Sequence, residues 1–298
     1  MKVLLLGAGG QLGQTLCGTL PGVGQVVALD RRQADFAQPG RLAELVRHHA
    51  PAVVVNAAAY TAVDKAEAEP ELAQRVNACA PAELAAAVAQ TGAWLIHYST
   101  DYVFDGEKAS AYVEDDETNP LGVYGRSKRD GERAIAATGA RHLIFRTSWV
   151  HGPTGNTFAS KILALARTRE ALTVISDQIG AATSTDLIAE VTGRAISMIA
   201  GQAPPPQGLY HLASAGSGSW HDHACYIVEQ AIAAGVALKV GPEGIAPVPS
   251  SAYATAAPRP RNSRLDTAKL RAAFGIEPPD WRQALHPTLE HLFRASGG

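Results

Sequence analysis

The stretch Val3-Leu4-Leu5-Leu6-Gly7-Ala8-Gly9-Gly10-Gln11-Leu12-Gly13 decides the fold predicted for this chain. Its four apolar residues are typical of a short buried strand, and the glycines that follow end the strand in a turn. Glycine permits a tight turn and a close approach of the backbone to a phosphate, and a helix starting after the turn offers free N–H groups. The spacing of Gly7, Gly10 and Gly13 therefore predicts a strand–turn–helix unit that binds a dinucleotide.

Apolar strands alternate with helical patterns outward from this unit, over the first half of the chain. Strands are predicted at 3–6, 26–29, 53–56, 94–98 and 143–146, and helices at 11–20, 41–49, 71–90 and 127–138. Continuous apolar strands separated by helices are typical of a parallel sheet that is covered on both faces. We therefore predict an α/β fold, a Rossmann-type doubly wound parallel sheet with a smaller C-terminal substrate-binding lobe.

The second half of the chain has a less regular pattern. Residues 1–150 are predicted to form the dinucleotide-binding domain and residues 151–298 mainly the smaller lobe, with segments near 171–175 and 186–210 returning to the first domain. The proline-rich segments 202–207 and 241–263 are predicted as loops, because proline interrupts helices and lacks an N–H donor. The junction of two such lobes is a common place for a ligand cleft.

Composition places the chain among globular proteins, since 46% of its 298 residues are apolar and 18% are charged. A net charge of −2 gives no reason to expect nucleic acid as a partner. No apolar run reaches the roughly 18 residues of a membrane span, and the N-terminal run is too short for a signal peptide. The three cysteines lie far apart and fit a reducing compartment, so we expect a cytoplasmic protein without membrane association.

A candidate proton-transfer group accompanies the predicted sheet. Tyr124 and Lys128 are spaced so that they share one face of a helix. A lysine ammonium beside a tyrosine stabilises the phenolate and lowers a pKa that is otherwise about 10. Such a tyrosine can protonate a carbonyl oxygen while a hydride attacks the carbon. Thr100, at the end of the fourth predicted strand, can donate a hydrogen bond to the same carbonyl and polarise it.

Two signals at the end of the second predicted strand disagree about the dinucleotide. Asp30 lies where a carboxylate can accept hydrogen bonds from ribose hydroxyls, which favours NADH, although the same residue could simply cap a turn. Arg31 and Arg32 follow, and an arginine there can hold the 2′-phosphate of NADPH. The residues themselves leave both NADPH and NADH open.

Together these pieces resemble the extended short-chain dehydrogenase/reductase family, and longer strings narrow the resemblance to the dTDP-4-dehydrorhamnose reductases. The strings lie at 56–67, 99–106, 124–128, 145–150, 177–181 and 259–266, and the resemblance extends over nearly the whole chain. It implies an NAD(P)H-dependent oxidoreductase of dTDP-rhamnose biosynthesis. Its implied substrate is a dTDP-linked 4-keto-6-deoxy sugar, dTDP-4-dehydro-L-rhamnose, whose carbon-4 ketone is reduced to give dTDP-L-rhamnose.

The resemblance also implies site residues, by position. It implies a catalytic group of Thr100, Tyr124 and Lys128, in which Tyr124 donates the proton and Lys128 also binds ribose. The sugar would contact Thr100, Asp101, Tyr124 and Trp149. With the glycines and Arg31 included, the predicted cofactor-binding set is Gly7, Gly10, Gln11, Leu12, Gly13, Asp30, Arg31, Asp35, Phe36, Ala59, Tyr60, Thr61, Tyr98, Tyr124 and Lys128.

Some members of this family bind Mg²⁺ through glutamates at a dimer interface. The matching positions here are Thr15, Asp186 and His291, of which only Asp186 carries the carboxylate that Mg²⁺ prefers. This set argues against Mg²⁺ and against that style of dimer. No metal site is predicted, and a homodimer of another kind stays open.

Two alternatives to this function stay open. The chain could reduce another nucleotide-linked 4-ketosugar, or it could be a non-catalytic module that binds NADP and regulates a partner. Tyr102 stands where related dehydratases carry a second carboxylate, so elimination of water would lack its base. The intact Tyr124 and Lys128 pair favours the reductase, because a binding module needs no proton donor.

Overall fold

The computed structural model describes residues 1–155, 157–201 and 207–294. Its strands are β1 (Lys2–Leu6), β2 (Gln25–Leu29), β3 (Val53–Asn56), β4 (Trp94–Thr100), β5 (Arg141–Thr147), β6 (Val150–His151), β7 (Leu172–Ile175), β8 (Ile179–Gly180), β9 (Thr183–Ser184), β10 (Gly208–His211), β11 (Gly218–Ser219) and β12 (Ile245–Val248). Its helices are α1 (Gln11–Thr19), α2 (Arg41–His49), α3 (Val63–Ala66), α4 (Pro70–Gln74), α5 (Ala80–Thr91), α6 (Val123–Ala137), α7 (Phe158–Thr168), α8 (Thr185–Ala200), α9 (Trp220–Ala233), α10 (Ala268–Phe274) and α11 (Trp281–Arg294). Most of the proline-rich loop predicted at 202–207 lies outside the described residues. Within those residues, no helix has both the length and the apolar character needed to cross a membrane.

The central sheet consists of six strands in the order β10-β5-β4-β3-β1-β2, and all of its pairs are parallel. The chain order reverses at β1, because β2 lies on one side of it and β3 on the other. A crevice forms beyond the carboxyl ends of strands at such a reversal. The predicted α/β fold is confirmed, and the five predicted strands correspond to β1 through β5.

Alternate side chains of β1 point into two separate hydrophobic cores. Val3 and Leu5 face the core covered by α1, α8 and α10. Leu4 and Leu6 face the core covered by α2, α5 and α6. All four side chains are completely buried. A strand that is buried on both faces must be apolar throughout, and this explains the continuous apolar run before the glycine turn.

The second half of the chain builds another core between α7, α9 and α11. There β7 pairs with β12, so the expectation that 171–175 returns to the central sheet is wrong, as is an uninterrupted loop over 241–263. The physical reason is that Leu172 and Val174 are buried in this separate core, while β10 occupies the edge of the central sheet beside β5. The division into two domains at residue 150 stays a prediction.

Candidate active site

The glycine turn after β1 forms one wall of the candidate site. Gly7 has a φ of +84°, and a Cβ there would lie 2.6 Å from the Ala58 nitrogen. Gly13 packs against the carbonyl oxygen of Gly7 and leaves no room for a side chain. Gly10 caps α1 without a side chain, and the first turn of α1 contains no acidic residue. The first N–H groups of α1 therefore have no helical partner and can bind a phosphate.

A cavity of about 980 Å³ opens beyond the carboxyl ends of β1, β2 and β3. Its volume lies near the upper end of the roughly 300–1,000 Å³ that ligand pockets occupy. The predicted cofactor residues that line it are Gly7, Gly10, Asp30, Arg31, Asp35, Phe36, Ala59 and Tyr60. Lys65 and Glu69, which the sequence did not suggest, also line it and form an ion pair of 2.8 Å.

The two conflicting cofactor signals have different surroundings in this cavity. Asp30 caps a turn, since its Oδ1 accepts the backbone N–H groups of Arg32 at 2.9 Å and Gln33 at 3.3 Å. The Arg31 side chain is 83% exposed, and its Nε makes only a long contact of 3.9 Å with Asp35. The Arg31 guanidinium is therefore available to an anionic group of a ligand.

Three other predicted cofactor residues lie away from this cavity. Gln11 lines a neighbouring cavity, and its Nε2 donates to the Thr154 carbonyl oxygen at 3.1 Å. Leu12 packs against the core beneath α1. Thr61 is exposed on the segment after β3.

Thr100 and Tyr124 meet where β4 ends and α6 begins. Gly125 makes this approach possible, because a Cβ there would overlap the Tyr102 carbonyl oxygen. The Tyr124 phenol lies close enough to the Thr100 hydroxyl for that hydroxyl to influence its pKa. Burial raises the pKa of Tyr124 to about 12, the Thr100 hydroxyl opposes this rise, and the Asp101 carboxylate adds to it. The phenol is therefore protonated at neutral pH and can act as a proton donor.

Asp101 is buried directly beside this pair. The Thr100 hydroxyl donates to Asp101 Oδ1 at 3.0 Å. Burial raises the pKa of Asp101 to about 6, although hydrogen bonds from Ser263 and Thr100 oppose the rise. The carboxylate thus holds the Thr100 hydroxyl next to the phenol and is itself close to titration in the physiological range.

Lys128 lies one helical turn after Tyr124 and is 2% exposed. Its Nζ donates to the Tyr98 carbonyl oxygen at 2.6 Å and lies 3.3 Å from His97 Nε2. Burial lowers the pKa of Lys128 to about 8, against the opposing effect of the Glu132 carboxylate. The expected lowering of the Tyr124 pKa by Lys128 is not found in this structure, because Lys128 contacts β4 and burial dominates at the phenol.

Tyr98 turns its side chain into the core, away from Lys128. Its hydroxyl hydrogen-bonds Thr192 Oγ1 at 2.7 Å, and its ring stacks on Phe145 inside the core. Alternate residues of a strand point to opposite faces, so this side chain lies on the α8 side of β4 and away from α6. Tyr98 contributes to the candidate site through its carbonyl oxygen, which holds Lys128.

Trp149 lines the neighbouring cavity, which has a volume of about 310 Å³. Its backbone is left-handed, with a φ of +47°, and Gly180 packs against its ring so closely that a Cβ would lie 2.6 Å away. Its indole stacks on Trp220, whose Nε1 donates to Gln178 Oε1 at 3.2 Å. One face of the indole that was predicted to bind sugar is therefore covered by Trp220.

Trp220 is a candidate site residue that the sequence reasoning missed. It lines both the Trp149 cavity and a further cavity of about 660 Å³, which Tyr102, Tyr253 and Arg259 also line. The signal that could have found Trp220 is a large aromatic residue at the first position of a helix, where a capping turn exposes one side to the cleft.

Among the three positions that match the family's Mg²⁺ ligands, Thr15 has a hydrogen-bond partner elsewhere in the fold. Thr15 Oγ1 donates to Thr185 Oγ1 at 2.9 Å, so Thr15 is engaged within the fold. Across the described ranges, no three histidine, cysteine, aspartate or glutamate side chains gather in an arrangement that could hold a metal ion.

The fold and site define an extended short-chain dehydrogenase/reductase. The defining features are a parallel central sheet, a glycine turn after β1 where the strand order reverses, and a tyrosine and a lysine on α6. A family model described as the RmlD substrate binding domain matches residues 1–294, and a dTDP-4-dehydrorhamnose reductase of Shigella flexneri is 46% identical over 297 residues, which cover 98% of each chain. The chain belongs to the dTDP-4-dehydrorhamnose reductase family of NAD(P)H-dependent oxidoreductases.

Solved structures agree with this assignment. The dTDP-4-dehydrorhamnose reductase of Bacillus anthracis, in complex with NADP, aligns with a TM-score of 0.89 at 31% identity, covering 97% of this chain and 98% of that one. The Clostridium acetobutylicum protein of the same name aligns with a TM-score of 0.90 at 33% identity, covering 98% and 99% of the two chains.

Proposed function

We propose that this chain reduces the carbon-4 ketone of dTDP-4-dehydro-L-rhamnose to dTDP-L-rhamnose with NADPH, and that Tyr124 donates the proton. The observation that carries the proposal is the Tyr124 phenol, protonated at neutral pH, beside the Thr100 hydroxyl at the end of β4. The names of the full-length relatives support the substrate, and the NADP in the Bacillus anthracis structure supports the cofactor.

The residues present fit a nicotinamide dinucleotide. The N–H groups that follow Gly10 would hold its pyrophosphate, and the exposed guanidinium of Arg31 would hold a 2′-phosphate. Asp30 already accepts two backbone N–H groups with Oδ1, which weakens the case for NADH. Lys128 would donate to the nicotinamide ribose. When bound, the dinucleotide supplies the hydride.

Proton transfer follows from the state of the tyrosine. With a pKa of about 12, the Tyr124 phenol keeps its proton at neutral pH. An alkoxide developing at the ketone oxygen is more basic than a phenolate, so the proton moves to the substrate. Thr100 would turn its hydroxyl from Asp101 to the same oxygen and stabilise the developing charge.

The sugar nucleotide would extend from this pair towards the second half of the chain. Trp149 would offer an apolar ring to the deoxyhexose, and Asp101, which accepts from the Thr100 hydroxyl, would lie near the reacting ketone. The cavity of about 660 Å³ that Tyr253 and Arg259 line has room for further parts of the ligand. A cytoplasmic location and a homodimer stay predictions.

The test is oxidation of NADPH by the purified protein, with dTDP-4-dehydro-L-rhamnose generated in place by the preceding enzymes and the product identified by chromatography. Tyr124→Phe should lower kcat by about 10²- to 10⁴-fold while the Kd for NADPH stays within about twofold. Tyr226→Phe removes a phenol that donates to the Arg282 carbonyl oxygen outside the site, and it should leave turnover unchanged.

Each contrary outcome has its own meaning. Unchanged turnover in Tyr124→Phe would overturn the role of that residue. Bound NADPH that is not oxidised with this sugar, but is oxidised with another nucleotide-linked 4-ketosugar, would change the substrate. Bound NADPH that no ketosugar oxidises would favour a regulatory binding module.

A further inference from the structure

Behind Lys128 lies a buried chain of polar side chains that the proposed proton transfer does not use. Asn56 and His97 are register partners on β3 and β4, and they are 1% and 0% exposed. Asn56 Nδ2 lies 3.0 Å from His97 Nδ1, and His97 Nε2 lies 3.3 Å from Lys128 Nζ. Burying a polar histidine ring inside the protein costs free energy unless its nitrogens are hydrogen-bonded. The hydrogen bonds of His97 therefore indicate which of its ring nitrogens carries a proton.

The backbone determines which atom of Asn56 faces the histidine. Asn56 Oδ1 accepts the Ala58 N–H at 3.0 Å, and a backbone N–H can only donate. The atom that faces His97 is therefore the amino group, which donates to Nδ1. Burial first, and the Lys128 charge second, hold the pKa of His97 well below its usual range, so the ring is neutral. Its one proton is then on Nε2 and points towards Lys128.

We propose that His97 is a positioning residue whose Nε2–H, oriented by Asn56, donates to Lys128 Nζ and favours the neutral amine over the ammonium in the cofactor-free enzyme. An ammonium has three N–H donors and no acceptor, so it faces the His97 N–H as donor against donor. A neutral amine accepts from His97 and still donates to the Tyr98 carbonyl oxygen at 2.6 Å. The catalytic consequence rests on the proposed function, whereas the tautomer of His97 does not.

The groups that face Lys128 from β4 and from α6 favour different protonation states of its amino group. From β4, His97 and the Tyr98 carbonyl oxygen accommodate an amine. From α6, the Glu132 carboxylate favours the ammonium, although Glu132 is itself paired with Arg146 at 2.7 Å. Tyr124, on the preceding turn of α6, is protonated and neutral. Burial lowers the pKa of Lys128 and the Glu132 carboxylate raises it, which leaves it at about 8. At that value, a change of one hydrogen bond alters the charge of Lys128 near physiological pH.

The direct test is long-range ¹H–¹⁵N correlation NMR of the ring nitrogens in cofactor-free protein with labelled histidine. The chain has 10 histidines, and the signals of His97 are those lost in His97→Gln but kept in His142→Gln. We expect a neutral ring with the proton on Nε2 at about pH 7, and no titration at the lower pH where a free histidine, with a pKa of about 6.5, becomes charged. A proton on Nδ1, or an imidazolium at that pH, would overturn the proposal.

The second test uses Asn56→Asp to reverse the direction of the hydrogen bonds that run from residue 56 through His97 to Lys128. A carboxylate only accepts, so it should draw the proton to Nδ1 and turn the lone pair of Nε2 towards Lys128, which stabilises the ammonium. We expect the ammonium, which has three N–H donors, to be the form of Lys128 that binds the nicotinamide ribose, so binding of NADPH is lost as the pH rises through the pKa of Lys128. The alkaline limb of kcat/KM for NADPH should therefore move to higher pH by about one unit.

The outcomes separate a positioning role from a structural one. If Asn56→Asp lowers the maximal kcat/KM for NADPH but leaves the alkaline limb of its pH profile unmoved, Asn56 and His97 stabilise only the fold. That result would overturn the proposal. If Asn56→Asp does not fold, the NMR experiment on the unaltered protein still decides. The expected tautomer in a protein that reduces no ketosugar would refute the proposed function and leave this inference standing.

Discussion

The indole rings of Trp149 and Trp220 lie face to face, with their centroids 3.6 Å apart and their planes inclined by 10°. Trp149 follows the end of β5 in a left-handed conformation that bulky residues rarely adopt, and Trp220 begins α9. The contact thus joins the carboxyl end of the central sheet, where the proposed proton donor lies, to the second half of the chain. It sets the position of the indole that we propose binds the sugar.

Replacing Trp220 with alanine should therefore weaken binding of the sugar nucleotide. An aromatic pair contributes about 0.5–1.5 kcal/mol, so we expect KM for the sugar to rise by about two- to tenfold with little change in kcat. Steady-state kinetics at saturating NADPH measures this. Trp220→Phe, which keeps a stacked ring, serves as the matched control. A change in the NADPH Kd without a change in KM for the sugar would contradict the assignment.

The two glycines of α1 have opposite surroundings and should respond oppositely to alanine. A Cβ at Gly13 would overlap the Gly7 carbonyl oxygen and lie 2.8 Å from Ala8 Cα, whereas a Cβ at Gly18 would meet nothing within 4 Å. Gly13→Ala should lower the free energy of unfolding by about 1–3 kcal/mol and weaken NADPH binding, because the turn must shift. Gly18→Ala should raise the free energy of unfolding by about 0.4–1 kcal/mol. Denaturant titrations that found the same sign for both variants would refute this description of the turn.

Arg146 and Glu132 form a buried pair that connects β5 to α6. Arg146 Nε and Nη2 donate to the two carboxylate oxygens at 2.9 and 2.7 Å. Arg146→Ala leaves a buried carboxylate without its cation, and we expect a loss of about 3–5 kcal/mol of unfolding free energy. Removing the exposed Arg41, which contacts Glu44 at 3.5 Å, should cost less than about 1 kcal/mol. Equal losses for the two arginines, measured by urea unfolding, would contradict the burial argument.

Glu83 on α5 caps the N-terminus of α2 from outside that helix. Its carboxylate accepts the N–H groups of Leu42 at 3.0 Å and Ala43 at 3.1 Å, and it pairs with Arg75 at 3.2 Å. Burial raises the pKa of Glu83, but these hydrogen bonds outweigh burial and the net pKa is lowered. A lowered pKa in the folded state stabilises the protein above the unfolded value and is lost as the pH falls through the folded value.

Glu83→Ala should therefore cost about 1–2 kcal/mol of unfolding free energy at neutral pH, as the loss of a helix cap does. The difference from the unaltered protein should shrink once the pH falls below the unfolded pKa of about 4.3. Unfolding titrations at neutral and acidic pH measure this, with the exposed Glu229→Ala as the control. A difference that does not depend on pH would show that the carboxylate charge plays no part.

Several features were predictable because they depend on spacing within one element. These features are the apolar run of β1, the glycines after it, and the spacing of Tyr124 and Lys128 along one helix. The structure has the run in β1, the glycine turn before α1, and both residues on α6. The partner of β7 was not predictable, because β12 lies far along the chain and its pairing follows from a shared core.

The sequence by itself determined the α/β class, the family and the residue types that can transfer a proton, since each follows from periodicity or from a contiguous string. Only the tertiary structure decided that Tyr98 turns its ring into the core, that Trp220 covers Trp149, and that His97 rather than Tyr124 contacts the Lys128 side chain. These outcomes depend on which faces of distant segments pack together, and the resulting burial determines the hydrogen bonds and the pKa values of the groups enclosed.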